Sequence, residues 1–375
     1  IEGYAKIIDP WTVSINKTNG EQQTLTTRAI IIAAGAQPTV PPISGIEDSE
    51  YVTSDTLWEK FSTYEDAPKR MIVLGGGPIG CELSQSFSRL GSGVTQVEMQ
   101  DRILKQEDVE VSEHATAALH KSGVNILCGH RALRCERNNE EKTLVVEYKG
   151  EEIHIPYDEL ICAVGRSARL TGYGLEDLGI DTSRTVNTND YLQTLFPNIY
   201  AAGDVAGPYQ FTHTAAHQAW YASVNALFGE IKKFKADYSI IPRTTFTAPE
   251  IARVGINEQE AKDKGIPYEV TRYGIDDLDR AITDGEAEGF VKVLTPPGKD
   301  TILGVYIVGA HAGELLTEFV IAMKHGLGLN KILSTIHTYP TFSEANKYTA
   351  GEWKRKNVSP SIMKLLEKYH RWKRG

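Results

Sequence analysis

Three glycines mark the chemistry this chain can do. They are spaced Gly75-x-Gly77-x-x-Gly80, follow the apolar run 71–74, and are answered eighteen positions later by Glu98. A run with no alternating polar residue reads as a buried parallel strand. Gly75 permits a tight strand-to-helix turn, Gly77 lets backbone approach a pyrophosphate, and Gly80 lets helix and strand pack closely. Pro78 and Ile79 open the helix, whose free N–H groups and dipole favour phosphate at that end. Leu83, Phe87 and Leu90 continue it at helical spacing, and Gly91 and Gly93 end it. A second strand, 94–97, closes on Glu98, whose carboxylate can accept hydrogen bonds from a ribose diol and would repel a 2′-phosphate. This favours NADH over NADPH. The plain alternative is a structural glycine turn, but strand, helix and acid in this order favour a dinucleotide site.

The rest of the chain must position that unit. With 375 residues, 41 % of them hydrophobic, there is core enough for two or three domains. A net charge of −9 argues against a nucleic-acid partner. No run of eighteen apolar residues suggests a transmembrane helix. Cys81, Cys128, Cys135 and Cys162 show no metal spacing, so no metal site is expected. Cys128 and Cys162 read as buried thiols, and Cys81 as a small core residue, although a helix start can stabilise a thiolate. Few cysteines and an acidic balance suit a reducing cytoplasm. The first residue is Ile1 and the chain opens inside a strand-like pattern, which reads as a fragment.

Short strands are expected at 5–8, 12–15, 23–26 and 29–33, with turns at Asp9-Pro10 and Asn19-Gly20. Strands 144–148 and 160–164 are expected to complete the dinucleotide unit. Further on, 198–204 reads as a strand ending in Gly203-Asp204, followed by a helix over about 214–228. Strands 290–294 and 302–308 and a helix over 313–325 make a third region. It ends in Ile336-His337-Thr338-Tyr339-Pro340-Thr341-Phe342-Ser343-Glu344.

This order resembles the pyridine nucleotide-disulfide oxidoreductases, the flavoenzymes that include dihydrolipoamide dehydrogenase, glutathione reductase and mercuric reductase. Ala33-Ala34-Gly35-Ala36-Gln37-Pro38 is similar to the family's strand end at the flavin, and 194–204 is similar to its second flavin motif. Residues 245–255 resemble the opening of its dimerisation domain. The resemblance implies an α/β protein with Rossmann-like FAD- and NAD(P)-binding domains and an α+β dimerisation domain. Its parts would be a partial FAD domain (1–66 and 164–236), an NAD(P) domain (67–163), a dimerisation domain (237–352) and a basic tail helix (353–375). FAD would meet Ala34, Gly35, Gly203, Asp204, Thr212 and His213, with Asp204 accepting from the ribityl chain. Alone, Asp204 reads as a turn residue. Glu82 would lie near the nicotinamide, although by itself it is a dipole-favoured glutamate in the first helical turn. Gly165 would bring backbone to the nicotinamide.

Two departures from that family stand out. Its N-terminal flavin GxGxxG and redox CxxxxC pair are not in the sequence, so the chain as given is expected to bind NADH without completing thiol–disulfide chemistry. Where many members place a histidine base, this chain has Tyr339, with His337 two residues earlier. A phenol of pKa about 10 is a proton donor rather than a base near neutrality. In a homodimer, Tyr339 and Glu344 would reach the partner subunit's disulfide. Thr341-Phe342-Ser343-Glu344 also reads as a capping box, which leaves Glu344 open between helix cap and orienter of a catalytic group. His217 and His311 read as packing or surface residues.

The implied activity passes hydride from NADH through FAD to a small-molecule acceptor, a disulfide or a soft metal. The alternatives are a flavin NADH oxidase or quinone reductase, and a non-catalytic NADH-binding dimer module. Ile362, Leu365, Leu366, Tyr369 and Trp372 fall on one face of the tail helix, with basic residues away from it. Packing on the protein's own acidic surface is expected for it, ahead of lying on an anionic membrane.

Overall fold

The computed structural model describes residues 1–138 and 141–375. It divides into two compact units, each discontinuous in sequence: Ile1–Pro41, Val52–Phe61 and Cys162–Tyr238 form one, and Pro42–Tyr51, Ser62–Ile161 and Ser239–Gly375 the other.

In the first unit Gly3–Asp9, Thr12–Lys17 and Gln22–Thr26 make an antiparallel sheet. The apolar strand Ile30–Ile32 pairs in parallel with Ile199–Ala201, and Ala36–Pro38 pairs antiparallel with Arg166–Ala168. Ile7, Ile32, Leu175, Val186, Ile199 and Val205 build the core. The helix Thr212–Phe228 begins two residues before the expected start.

In the second unit the parallel strands Arg70–Leu74, Gly93–Glu98 and Asn125–Cys128 lie side by side, with Glu159–Cys162 on the other flank of Arg70–Leu74. Met71 to Leu74 are all buried, as an unalternated run requires. The strand expected at 144–148 does not join this sheet. It belongs to an antiparallel ribbon of Arg131–Asn138, Glu141–Tyr148 and Glu151–Tyr157. Lys149 and Gly150, both at positive φ (54° and 86°), form the two-residue hairpin that turns the chain back. Leu90, the last residue of the expected helical spacing, caps the helix instead of continuing it. It is 68 % exposed at the end of the helix Pro78–Arg89, whose buried face is Gly80, Cys81, Ser84, Gln85 and Phe87. Cys128, expected to be buried, is only half-buried at its strand end.

The C-terminal sheet runs Pro242–Thr245, Glu250–Gly255, Gly304–Gly309, Phe290–Thr295, Glu269–Gly274, all antiparallel. A buried charge network ties it to the 106–110 segment that follows the dinucleotide strands. Lys292 Nζ meets Asp108 Oδ2 at 2.6 Å, Glu110 Oε1 at 2.5 Å and Glu258 Oε1 at 3.1 Å. Arg253 pairs with Glu107 at 3.2 Å and with Glu260. The Tyr306 ring lies against both cations, and its O–H donates to Glu107 at 2.5 Å. Burial works against the Lys292 charge, but Asp108 and Glu110 outweigh it and raise its pKa. The final helix, Pro360–Arg374, does not pack on the acidic surface as expected, since every one of its residues is exposed. Among the described residues no helix is long and apolar enough to cross a membrane.

Removing one partner of a buried ion cluster leaves the others uncompensated, at about 3–5 kcal/mol. Lys292→Met should lower the unfolding free energy of this unit by that amount in urea titration, whereas the exposed Lys121→Met should change it by less than about 0.5 kcal/mol.

Candidate functional site

At the glycine turn, the Gly75 N–H extends the ladder to Val97 O at 2.8 Å, and its φ of 111° reverses the chain. Gly77 sits before the helix in extended conformation, and Pro78 occupies the first helical position, where no N–H is lost. The two later glycines differ in what a methyl group would meet. On Gly80 a Cβ would stand 2.1 Å from Gly75 O; on Gly77 it would meet nothing within 4 Å. Gly77 thus borders open space, a cradle that a side chain would fill. Pro78 is exposed and Ile79 after it is half-buried in the first turn.

Glu98 folds back onto this turn. Its Oε2 accepts from Gly76 N–H at 2.5 Å and its Oε1 from Gln100 N–H at 2.6 Å. Two backbone bonds leave lone pairs on both oxygens for further donors. Nearby cations are already engaged. Arg102 donates to the carbonyls of Leu104, Lys105 and Glu107, and Lys105 pairs with Asp101 at 2.5 Å.

Glu82 lies one position beyond the first helical turn, not within it as expected. Its Oε1 accepts from Phe246 N–H at 2.7 Å, and burial raises its pKa. One turn on, Gln85 clasps Ala248: Oε1 accepts from its N–H at 2.7 Å, and Nε2 donates to its carbonyl at 2.8 Å. Nothing in the residue spacing marks Gln85, because its partner is remote. Cys81 is buried here, which pushes its thiol up to about 12.

In the first unit, Gly203 (φ 81°) turns the chain after Ile199–Ala201, and its N–H donates to Gln218 Oε1 at 2.6 Å. Gln218 Nε2 holds the other end of the turn through Gly207 O at 2.7 Å. This fully buried glutamine also escaped sequence reasoning. Asp204, half-buried, has no side-chain hydrogen bond among the described residues. Thr212 and His213 are exposed at the start of their helix, where Phe211 supplies no side-chain cap, and His213 stacks on Phe211. Thr214 Oγ1 is buried there with no partner among the described residues. Acceptors and donors left open at one turn and one helix start suit a polar, partly anionic ring edge. Ala34 packs half-buried on the core and Gly35 bends at φ 71°. Gly165 (φ 130°) accepts from Thr39 N–H at 2.9 Å, while Arg166 beside it ties Ala36 O to Asp55.

The C-terminal residues are arranged differently from expectation. Tyr339 is 66 % exposed and donates its O–H to Asp279 Oδ2 at 2.7 Å. Hydrogen bonding to Asp279, and that carboxylate's charge, hold the phenol above its ordinary pKa. Glu344 does not orient it through a hydrogen bond. Its carboxylate accepts from Thr341 N–H at 3.2 Å and from Tyr348 O–H at 3.0 Å. Only half of the expected capping box forms, since Thr341 Oγ1 donates to Thr338 O instead of capping the helix. His337 is held by Glu318 at 3.0 Å and by Thr335 O at 3.1 Å, so neither ring nitrogen is presented as a base. Asp279 and Glu318 were not legible, because neither has a fixed spacing to its partner.

A family model described as pyridine nucleotide-disulphide oxidoreductase matches residues 2–219, and that family's dimerisation domain matches residues 241–350. The chain is 36 % identical over 352 residues to a mercuric reductase of Lysinibacillus sphaericus, covering 93 % of this chain and 62 % of that protein. To a dihydrolipoyl dehydrogenase of Bacillus subtilis it is 31 % identical, covering 92 % and 73 %. Among solved structures, the Cu(II) complex of the HOCl-induced flavoprotein disulfide reductase RclA of Escherichia coli superposes with a TM-score of 0.85. Identity there is 25 %, over 94 % of this chain and 78 % of that one.

A raised pKa means the folded protein prefers Glu82 protonated. That preference contributes stability below the ordinary carboxylate range and is lost as pH rises through the raised value. Glu82→Gln, which keeps an acceptor for Phe246, should therefore melt higher than the parent at pH 8. The difference should disappear below pH about 4; melting curves across pH check it.

Proposed function

Because the chain belongs to the pyridine nucleotide-disulphide oxidoreductase family, we propose that it is the main part of an FAD-dependent oxidoreductase that draws on NADH and serves a small-molecule acceptor. It spans 62 % of the mercuric reductase it matches, so the activity of the whole protein belongs to this proposal. Bound FAD supplies the two-electron chemistry that links NADH to a disulfide or soft-metal acceptor.

The observation that carries the coenzyme reading is the open space at Gly77 beside the folded-back Glu98 carboxylate. A pyrophosphate fits where no Cβ intrudes, against the uncapped start of the helix Pro78–Arg89. Glu98 has lone pairs left for a ribose diol and repels an added phosphate. Arg102, committed to three carbonyls, is not offered to one. NADH is therefore the preferred coenzyme. Asp204 would accept from the flavin's polyol chain, and the N–H groups at Thr212 and His213 would face its polar edge, favouring negative charge there. Glu82 would lie on the nicotinamide side. Tyr339, contributed across a homodimer, would serve the acceptor side as a hydrogen-bond donor by turning toward the acceptor the one O–H that it gives Asp279 in this structure.

Gly77 has φ −76°, which any residue adopts, so Gly77→Ala should fold with stability changed by less than about 0.5 kcal/mol. By calorimetry it should bind NADH at least about tenfold more weakly, a loss of about 1.4 kcal/mol. NADPH should bind the parent more weakly than NADH. Equal NADH affinity in parent and variant would remove the coenzyme assignment. In the full-length enzyme, Tyr339→Phe should cut kcat by about 10²-fold at unchanged NADH affinity, the scale of one lost proton donor. Steady-state and binding measurements on the same sample separate the two effects.

A further inference from the structure

The helix Pro360–Arg374 carries a surface that the oxidoreductase reading does not use. All of it is exposed, including Leu365 at 66 % and Trp372 at 75 %. Ile362, Leu365, Leu366, Tyr369 and Trp372 recur at three- and four-residue steps and so form one apolar stripe. Lys364, Lys368 and Arg371 lie on the opposite side. The Lys373 ammonium sits 5.6 Å over the Tyr369 ring, as a long side chain does when it reaches past an apolar face. The helix's one carboxylate, Glu367, is paired with Arg371 at 3.1 Å.

Charge decides what covers this stripe. The chain carries −9 overall, while residues 354–375 hold eight cations against one carboxylate. An acidic protein surface should attract such a tail, yet no residue of the helix is buried against it. A second copy of the helix would set like charges against each other. An anionic lipid surface suits both faces at once: headgroup phosphates neutralise the cations, the aliphatic residues enter the acyl boundary, and Tyr369 and Trp372 sit at headgroup level.

We propose that the helix Pro360–Arg374 is an interfacial helix that docks this protein on an anionic bilayer without crossing it. Its position in the bilayer plane follows from its polar face, because a span would drag five cations into hydrocarbon. The proposal stands independently of the coenzyme assignment.

Co-sedimentation of the full chain with phosphatidylcholine vesicles, with and without phosphatidylglycerol, tests it. Binding is expected only to the anionic vesicles, weakening as salt rises, with a blue shift of tryptophan emission that Trp372→Phe removes. Leu366→Glu should abolish binding, and Lys368→Gln should weaken it about fivefold. Neither should shift the melting temperature, since no residue of the helix is buried. Absence of binding to anionic vesicles, or binding that survives Leu366→Glu, overturns the proposal. So does a change of oligomeric state in Leu366→Glu by light scattering without lipid binding, which would assign the stripe to a second copy.

Discussion

A methyl group on Gly80 would stand 2.1 Å from the carbonyl oxygen of Gly75, and much of the second unit depends on its absence. With hydrogen alone at that contact, the helix Pro78–Arg89 settles low on its parallel strands. Along the part of its buried face nearest the turn it carries small and polar residues, Cys81, Ser84 and Gln85, with the larger Phe87 following further along. Beneath it Gln96, fully buried, donates to Gly75 O at 3.0 Å and fixes the turn from the sheet side. The same descent aims the start of the helix past Gly77 into open space and brings Glu82 and Gln85 against the 246–248 segment. A bulkier residue at position 80 would displace all of these together, because interiors are packed too densely to absorb the change locally.

Buried polar side chains do the long-range fastening. Gln85 and Gln218 each use the donor and the acceptor of one amide to grip backbone from another segment. A reciprocal pair of this kind fixes direction as well as distance. Lys292 and Arg253 do the same with charge, at greater risk. Taken from water, either cation is costly unless several carboxylates and an aromatic face surround it, and here each has them. Full satisfaction in a medium of low polarity makes such contacts strong, and makes losing a single partner expensive.

Much of the fold was legible from residue spacing. The glycine turn, its flanking strands, the short N-terminal strands and two of the five C-terminal strands, Phe290–Thr295 and Gly304–Gly309, follow from periodicity and turn chemistry, while the family was legible as a resemblance carried by motifs along the chain. The misreadings have physical causes. Leu90 kept the helical rhythm after the helix had ended. Residues 144–148 look like any apolar strand, but they pair antiparallel on both sides, with the Lys149-Gly150 hairpin turning the chain on one of them. Thr341 matched a capping box, but its hydroxyl found the nearer carbonyl of Thr338. The tail's amphipathic face was plain in the sequence, whereas the exposure of all its residues was not.

The amino-acid sequence alone determined what depends on neighbours in the chain. It set that Gly75 permits a tight turn, where a helix begins on glycine and proline, which runs are apolar enough to be buried, and that an acid follows the turn. Only the tertiary structure decided which groups meet. Glu82 finds Phe246 across 164 positions, Tyr339 finds Asp279 across 60, and Lys292 finds Asp108 across 184. Backbone preference and side-chain periodicity act within one or two turns and can be read locally. Pairings at these separations exist only after the intervening chain has closed, and no spacing rule encodes them.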